Sequence, residues 1–315
     1  MNMKKRYDIV AILDCCVDLV MSGGDIIPRF GQQEQFVADY SIEMGGSGCI
    51  FAAQAAKLGL RTAGIGVIGD DAFGRTVLNT LWTSGVDTSY IRSDSQWKTG
   101  LGVLLCVEND RAILTCNGTI DAVTADDISD EILSQTRHLH IASFYLHHKL
   151  HPHWLQIARR AQHFGTTISL DTNWDPDDRW DEDIYYLLPY VDVFFPNEQE
   201  LMRIARIADV QEAAMFLAEK TPLLVIKRGA KGAMAISGSR IWECGACDVK
   251  VSDTVGAGDS FDGGFLWGWL QGMPMEQCLE AGCFCGASNV TASGGTRGQA
   301  TRDQLIQHLR KEGKT

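Results

Sequence analysis

No run of roughly 18 apolar residues occurs in this 315-residue chain, so nothing in the sequence reads as a membrane-spanning helix. The opening MNMKKRYDIVAILD also lacks the long apolar stretch and small-residue cleavage site of a secretory signal. Positive charge is scarce: 28 Lys and Arg stand against 40 Asp and Glu, a formal net charge of −12. Such a chain repels phosphate backbones at long range, which argues against nucleic acid as a partner but leaves room for local basic groups on a small phosphate. Internal repeats and low-complexity tracts are absent. Cys244-Gly-Ala-Cys247 has no second C-x-x-C to complete a four-cysteine metal site, and a metal or redox role for it is not expected. With no signal segment, the ten cysteines read as thiols of a reducing cytosol. Cys106, Cys116 and Cys283, set among apolar or small residues, are expected to be buried.

What remains is the composition of an ordinary soluble globular protein, 45% hydrophobic and 22% charged. The length suits two domains, or one large α/β domain with an appendage, and buries a substantial core. Tyr7–Leu13, Thr62–Val67, His138–Ala142, Ile168–Asp171, Val191–Phe195 and Leu223–Lys227 read as short buried strands. Ser47–Leu58, Asp71–Ser84, Trp154–Phe164 and Glu198–Ala205 carry helical spacing between them. Apolar strands alternating with helices predict a mostly parallel sheet covered on both faces. Two stretches break this rhythm. Gly100–Val107 and Ala112–Thr115 are β-rich around a Glu108-Asn109-Asp110 turn, and residues 15–44 lack helical period and hold Ser22-Gly23-Gly24-Asp25. They are expected to pair as a small projecting sheet. The tail, Asp259–Leu270, Met275–Ser293 and Arg302–Lys311, returns to helix.

Several motifs are weaker than they look. Gly64-Ile-Gly66-Val-Ile-Gly69 matches G-x-G-x-x-G, with Asp87 downstream. A dinucleotide site needs its strand before the first glycine, and here the strand contains it. Gly313-Lys314-Thr315 resembles the end of a phosphate loop, but His308 stands where that loop begins with glycine. Seven of the eight histidines fall between His138 and His163. The run His147-His148-x-x-His151-x-His153 follows no usual ligand spacing and reads as a solvated loop.

Asp253-Thr254-Val255-Gly256-Ala257-Gly258-Asp259-Ser260-Phe261 is more informative. A glycine turn opens directly into a helix, which exposes backbone N–H groups at the positive end of the helix dipole and makes an anion hole. A carboxylate is a poor choice for holding an anion. Asp259 makes sense as a base taking the proton of a hydroxyl beside that hole, as attack on a phosphoryl group requires. An ordinary capped helix is the plainer alternative.

The chain as a whole resembles the ribokinase-like (PfkB-type) carbohydrate kinases. Asp253–Phe261 is similar to their C-terminal signature. Gly45-Gly46-Ser47-Gly48, a helix, and then Gly66–Gly74 are similar to their N-terminal one. Pro196-Asn197-Glu198-Gln199-Glu200 resembles their N-x-x-E motif, and Lys227–Gly232 falls at their nucleotide loop. The resemblance implies a three-layer α/β/α domain (residues 1–14, 45–98 and 119–315) and a β-lid (residues 15–44 and 99–118). It implies transfer of the γ-phosphoryl group of ATP to a hydroxymethyl group, with Asp259 as base and Gly256, Ala257 and Gly258 as anion hole. Asp18, assisted by Asp14, is implied in binding sugar hydroxyls, with Gly45 and Gly46 allowing close approach and Ile50 and Asn173 facing the sugar. Asn197 and Glu200 are implied in arranging water and Mg²⁺. Lys227, Gly229, Gly232 and Asn289 are implied around the nucleotide. Asp253, Val255 and Gly294 are the counterparts of a site for a monovalent cation such as K⁺. A cytoplasmic homodimer joined through the lids completes the picture.

Two departures stand out. Ile50 occupies a position where many members carry an asparagine that bonds sugar hydroxyls, so D-ribose is expected to be a poor substrate. Lys227 replaces the usual threonine, and a cation there is placed to meet ATP phosphates. Asp171-Thr-Asn173 resembles the D-x-N of fructokinase-like and ketodeoxygluconate kinase-like members, except that Asp175 replaces their arginine. A nucleoside kinase, with Ile50, Trp97 and Phe144 as a purine slot, and a non-catalytic sugar-binding member are the alternatives.

Overall fold

The computed structural model describes residues 5–24, 26–107 and 110–311. Asp25, Glu108, Asn109 and the Gly313–Thr315 end lie outside them. The strands are β1 (Tyr7–Ile12), β2 (Cys16–Gly24), β3 (Val37–Gly45), β4 (Thr62–Gly69), β5 (Asp87–Asp94), β6 (Gly100–Val107), β7 (Asp110–Cys116), β8 (Thr136–Ile141), β9 (Thr167–Leu170), β10 (Val193–Phe194), β11 (Leu224–Lys227), β12 (Ala233–Ser237) and β13 (Arg240–Cys244). A nine-stranded sheet runs β13-β12-β11-β10-β9-β8-β1-β4-β5, and only β12 and β13 are antiparallel to their neighbours. A smaller sheet runs β3-β2-β6-β7.

Successive side chains of β1 enter opposite layers, as the strand pleat requires. Val10 and Ile12 join a core with helices Trp154–His163 and Glu198–Ala205. Ile9 and Ala11 join another with helices Ser47–Lys57 and Ala257–Trp269. This is the expected ribokinase-like α/β fold, a mostly parallel sheet between helical layers. Gly64 and Gly66 lie inside β4 with Leu13 and Cys15 packed where a Cβ would stand, so the G-x-G-x-x-G is a packing feature.

The small sheet has two unlike faces. Asp18, Gly102, Leu104, Ile113 and Thr115 line a cavity below it. On the opposite face Leu19, Ile42, Val103 and Leu114 stand in register across all four strands. Ile42 is 45% exposed and Leu114 63%. None of the ten cysteines forms a disulfide. Cys283 is buried, but Cys106 is half-buried and Cys116 exposed, because both belong to this thin sheet rather than to the main core. The histidine run is not a solvated loop throughout: His147 is fully buried with neither ring nitrogen bonded.

Candidate active site

Two cavities meet at the N-terminus of helix Ala257–Trp269. One, of about 450 Å³, lies between the small sheet and the carboxyl ends of the parallel strands, where open α/β sheets bind ligands. The other, of about 590 Å³, is lined by Gly229, Gly232, Val249, Val251, Ala287 and Val290. Lys227, Gly229, Thr254, Ala257 and Gly258 line both. The first N–H groups of any helix lack intrahelical acceptors, so this one presents donors and the positive dipole end to the junction. Gly256 starts the helix at φ 73°, in the left-handed region, and a Cβ there would come within 2.8 Å of Ile50 Cγ2 and 3.0 Å of Gly295. Glycine is required on both counts.

Asp259 lies in the first turn of this helix and lines the first cavity. Burial pushes its carboxyl well above the usual range, and the charges of Asp171 and Asp14 act the same way. Lys227 and a hydrogen bond from the Ser47 hydroxyl oppose them. Burial alone would lower the Lys227 ammonium, but Asp171, Asp262 and Glu200 together hold it above its ordinary value. Its Nζ is 2.6 Å from Asp171 Oδ2 and 3.4 Å from Asp262 Oδ2. Asp171 stays below the usual range against burial, chiefly because of Lys227, whereas burial drives Asp262 well above it. One cation therefore serves several carboxylates.

A model of the pfkB family carbohydrate kinases matches residues 8–302. The chain belongs to this family. An uncharacterized sugar kinase of Archaeoglobus fulgidus is 30% identical over 244 residues, 77% of this chain and 96% of the relative. An ATP-dependent ribose-1-phosphate kinase of Halopiger xanaduensis is 29% identical over 84% of this chain and 86% of its own. Arabidopsis thaliana ribokinase, solved with ribose and ATP, shares the fold with a TM-score of 0.84 at 22% identity, covering 98% of this chain and 99% of that one. The protein is an ATP-dependent carbohydrate kinase.

Around this pfkB-family site the predicted residues fall as follows. Asp14 follows β1 and accepts from the Ser47 and Gly48 N–H groups at 3.0 and 2.8 Å and from the Ser143 hydroxyl at 2.7 Å. It thus anchors the start of helix Ser47–Lys57. Asp18 lines the cavity from β2, packed so tightly that a Cβ at either Gly45 or Gly102 would lie 2.6 Å from its carboxylate. Gly46, at φ 86°, crosses Asp14 so closely that a Cβ would lie 2.3 Å from the Asp14 carbonyl oxygen. Ile50 reaches the cavity wall and is also wedged against Gly256 and Gly295. Asn173 lines the same cavity, its amide 3.4 Å from Ser47 Oγ and 3.3 Å from Ser143 Oγ. Asp175 instead holds its own loop, accepting from the N–H groups of Asp177, Arg179 and Trp180.

The N-x-x-E motif forms a capping box: Asn197 Oδ1 accepts from the Glu200 N–H and Glu200 Oε2 from the Asn197 N–H, both at 2.9 Å. Burial raises Glu200 to about 7, helped by Asp171 and opposed by Lys227. Gly229 and Gly232, expected at the nucleotide, line the second cavity, and a Cβ at Gly232 would meet the Cys244 carbonyl oxygen at 2.0 Å. Asn289 is not brought to that wall. It is fully buried and donates to the Val255 carbonyl at 2.6 Å. Asp253 accepts from the Val255 N–H at 3.0 Å and the Gly294 N–H at 2.9 Å, which gathers the three oxygen-bearing residues of the expected cation site. The loop holding Gly294 is also tied to the small sheet by the ion pair Arg297–Glu43.

Trp97 is 48% exposed and Phe144 lies in the core, so neither lines the first cavity. Sequence reading missed Ser47 and Asp262. For Asp262 the signal was its place three residues after Asp259, on one helix face.

Proposed function

We propose that the protein moves the γ-phosphoryl group of ATP to a hydroxymethyl group of a sugar or sugar derivative. The observation that carries this reading is Asp259 in the first turn of a helix that opens on glycines where two cavities join. ATP occupies the Gly229–Gly232 side and the sugar the side beneath the small sheet. Asp259 takes the proton of the attacking hydroxyl as the new O–P bond forms and the bond to the leaving ADP oxygen breaks. Charge growing on the transferring group meets the backbone N–H groups of Gly256–Gly258. Asp18 and Asn173 orient the sugar, assisted by Asp14, and Ile50 presents an apolar wall.

The excess of carboxylates around one lysine suits a divalent ion. Glu200, with Asn197, would hold Mg²⁺ through water, and bound Mg²⁺ would neutralise the phosphates. Asp253, Val255 and Gly294 offer the hard oxygens that K⁺ takes. Residues 15–44 and 99–118 act as a lid in a cytoplasmic protein, and two lids pair through the apolar outer face in a homodimer.

An ATP-consumption screen against sugars, sugar acids, sugar phosphates and nucleosides tests the reading. Turnover is expected with one or more sugar-type acceptors. Turnover with nucleosides alone, or no acceptor-dependent turnover, would overturn it.

A further inference from the structure

The phosphoryl-transfer site makes no use of Cys244-Gly-Ala-Cys247 as a pair, and the fold supplies the partners that the neighbouring sequence lacks. Cys244 ends β13, and Cys247 lies in the segment after it. Glu280 comes from helix Met275–Asn289 and His308 from helix Arg302–Lys311. One ligand atom each of Cys247, Glu280 and His308 lie within 4.8 Å of one another. Cys244 Sγ is 3.3 Å from Glu280 Oε2, and His308 Nε2 is 2.6 Å from Glu280 Oε1. Glu280 is buried, and the His308 ring is fixed by stacking on Phe284 at 4.3 Å between centroids. Among the described residues, no other group of three metal-ligating side chains converges in this way.

We propose that Cys247, Glu280 and His308 form a zinc site, completed by Cys244 when its thiol turns from Glu280 Oε2 toward the ion. Zinc with bonds of about 2.0–2.3 Å holds tetrahedral ligand atoms about 3.3–3.8 Å apart, so the atoms of Cys247, Glu280 and His308 reach that spacing with shifts of about an ångström. Two thiols, an imidazole and a carboxylate favour zinc over the hard cations Mg²⁺ and Ca²⁺. With Cys244 drawn in, four protein ligands leave no open position, which makes the site structural. Zinc takes cysteine as the thiolate, so binding releases protons and tightens as pH rises.

Its effect would reach the kinase site. Ala246, Cys247, Asp248 and Val249 wall the second cavity. A metal at Cys244 and Cys247 fixes that wall to two helices. Loss of zinc should therefore raise KM for ATP while kcat changes little.

Metal analysis of the full chain, purified without a histidine tag and then titrated with Zn²⁺ against a chromophoric chelator, tests the proposal. One zinc per chain is expected, with Kd of about a micromolar or tighter. Co²⁺ in its place should give a thiolate charge-transfer band and intense tetrahedral visible bands. Cys247→Ser and His308→Gln should each weaken zinc binding at least about tenfold, and Cys116→Ser should leave it unchanged. His308→Gln, near the end of the chain, keeps the test open if Cys247→Ser does not fold. Three results would overturn the proposal: no zinc at micromolar concentration, binding unaffected in His308→Gln, or a Cys244–Cys247 disulfide in metal-free protein.

Discussion

Lys227 Nζ sits 2.6 Å from Asp171 Oδ2, a buried ion pair at the seam between the two cavities. The lysine also faces Asp262 Oδ2 at 3.4 Å. Its charge is thus shared, and Asp259 is left with a carboxyl that burial raises. If Asp259 is the base proposed above, a bound cation must bring its carboxyl back down before it can accept a proton.

Asp259→Asn should lower kcat by about 10²- to 10⁴-fold, with KM for sugar and ATP within a few-fold of the parent. The folded protein binds the Asp259 proton more tightly than the unfolded chain does. Native stability therefore falls as pH rises from the ordinary carboxylate range toward the raised value of the folded state, and the amide removes that loss. Steady-state kinetics beside melting curves at neutral pH check both parts. Turnover near the parental value would remove Asp259 from the mechanism.

Glu200→Gln isolates a second pH effect. Glu200 rises from 4.5 to about 7 on folding. Its contribution to stability is full below the unfolded value and is lost as pH climbs toward the folded one. The difference in melting temperature, variant minus parent, should grow across that interval. Glutamine retains an oxygen for the Asn197 N–H, so the capping box survives. A flat difference curve would contradict the assignment.

Gly102→Ala should act through Asp18. The added Cβ falls 2.6 Å from Asp18 Oδ1, so the carboxylate must move. A displacement of this size is expected to cost about ten- to a hundredfold in kcat/KM for the sugar, with KM for ATP unchanged. Equal losses toward both substrates would point to a general distortion instead.

D-Ribose should be a poor acceptor. Ile50 meets the cavity with a side chain that neither donates nor accepts, and a sugar hydroxyl buried against it costs about 1–3 kcal/mol. Fructose or ketodeoxygluconate should give the higher kcat/KM, and Ile50→Asn should narrow the gap. Because Ile50 also braces Gly256 and Gly295, that variant should lose some kcat toward every sugar. A parent that prefers ribose, with a preference indifferent to Ile50→Asn, would refute the argument.

Light scattering at micromolar concentration should give the mass of a dimer. The outer row Leu19, Ile42, Val103 and Leu114 is an apolar face that a monomer leaves in water. Ile42→Lys with Leu114→Lys should return the monomer mass while catalysis below the sheet persists. A concentration-independent monomer in the parent would exclude the arrangement.

What the sequence made legible follows from how local each signal is. Helix Glu198–Ala205 was readable to the residue because Asn197 and Glu200 cap it within four positions. Helix Val210–Ala218 was missed: it starts just after Arg206 ends the preceding one in a left-handed turn, so the two share one helical pattern. Strand β5 was missed because Asp87-Thr-Ser-Tyr-Ile-Arg-Ser-Asp is a half-exposed edge strand with few apolar residues. The hairpin β12–β13 escaped notice beside the glycine loop before it. At the site, Gly256–Asp259 showed itself because its chemistry lies in consecutive residues. The bond of Lys227 to Asp171 and Asp262 did not, since those residues meet only when three separate elements converge.

The ion pair between Glu43 and Arg297 links the small sheet to the loop whose Gly294 holds Asp253 and whose Gly295 abuts Ile50. Under the proposed function, sugar preference and turnover are therefore expected to change together. A library that varies β3 to broaden the range of acceptors is expected also to disturb the turn proposed above to receive the transferring phosphoryl group. Engineering of the acceptor should hold Glu43, Arg297 and Gly102 constant and place its diversity on β7 and the rest of β6.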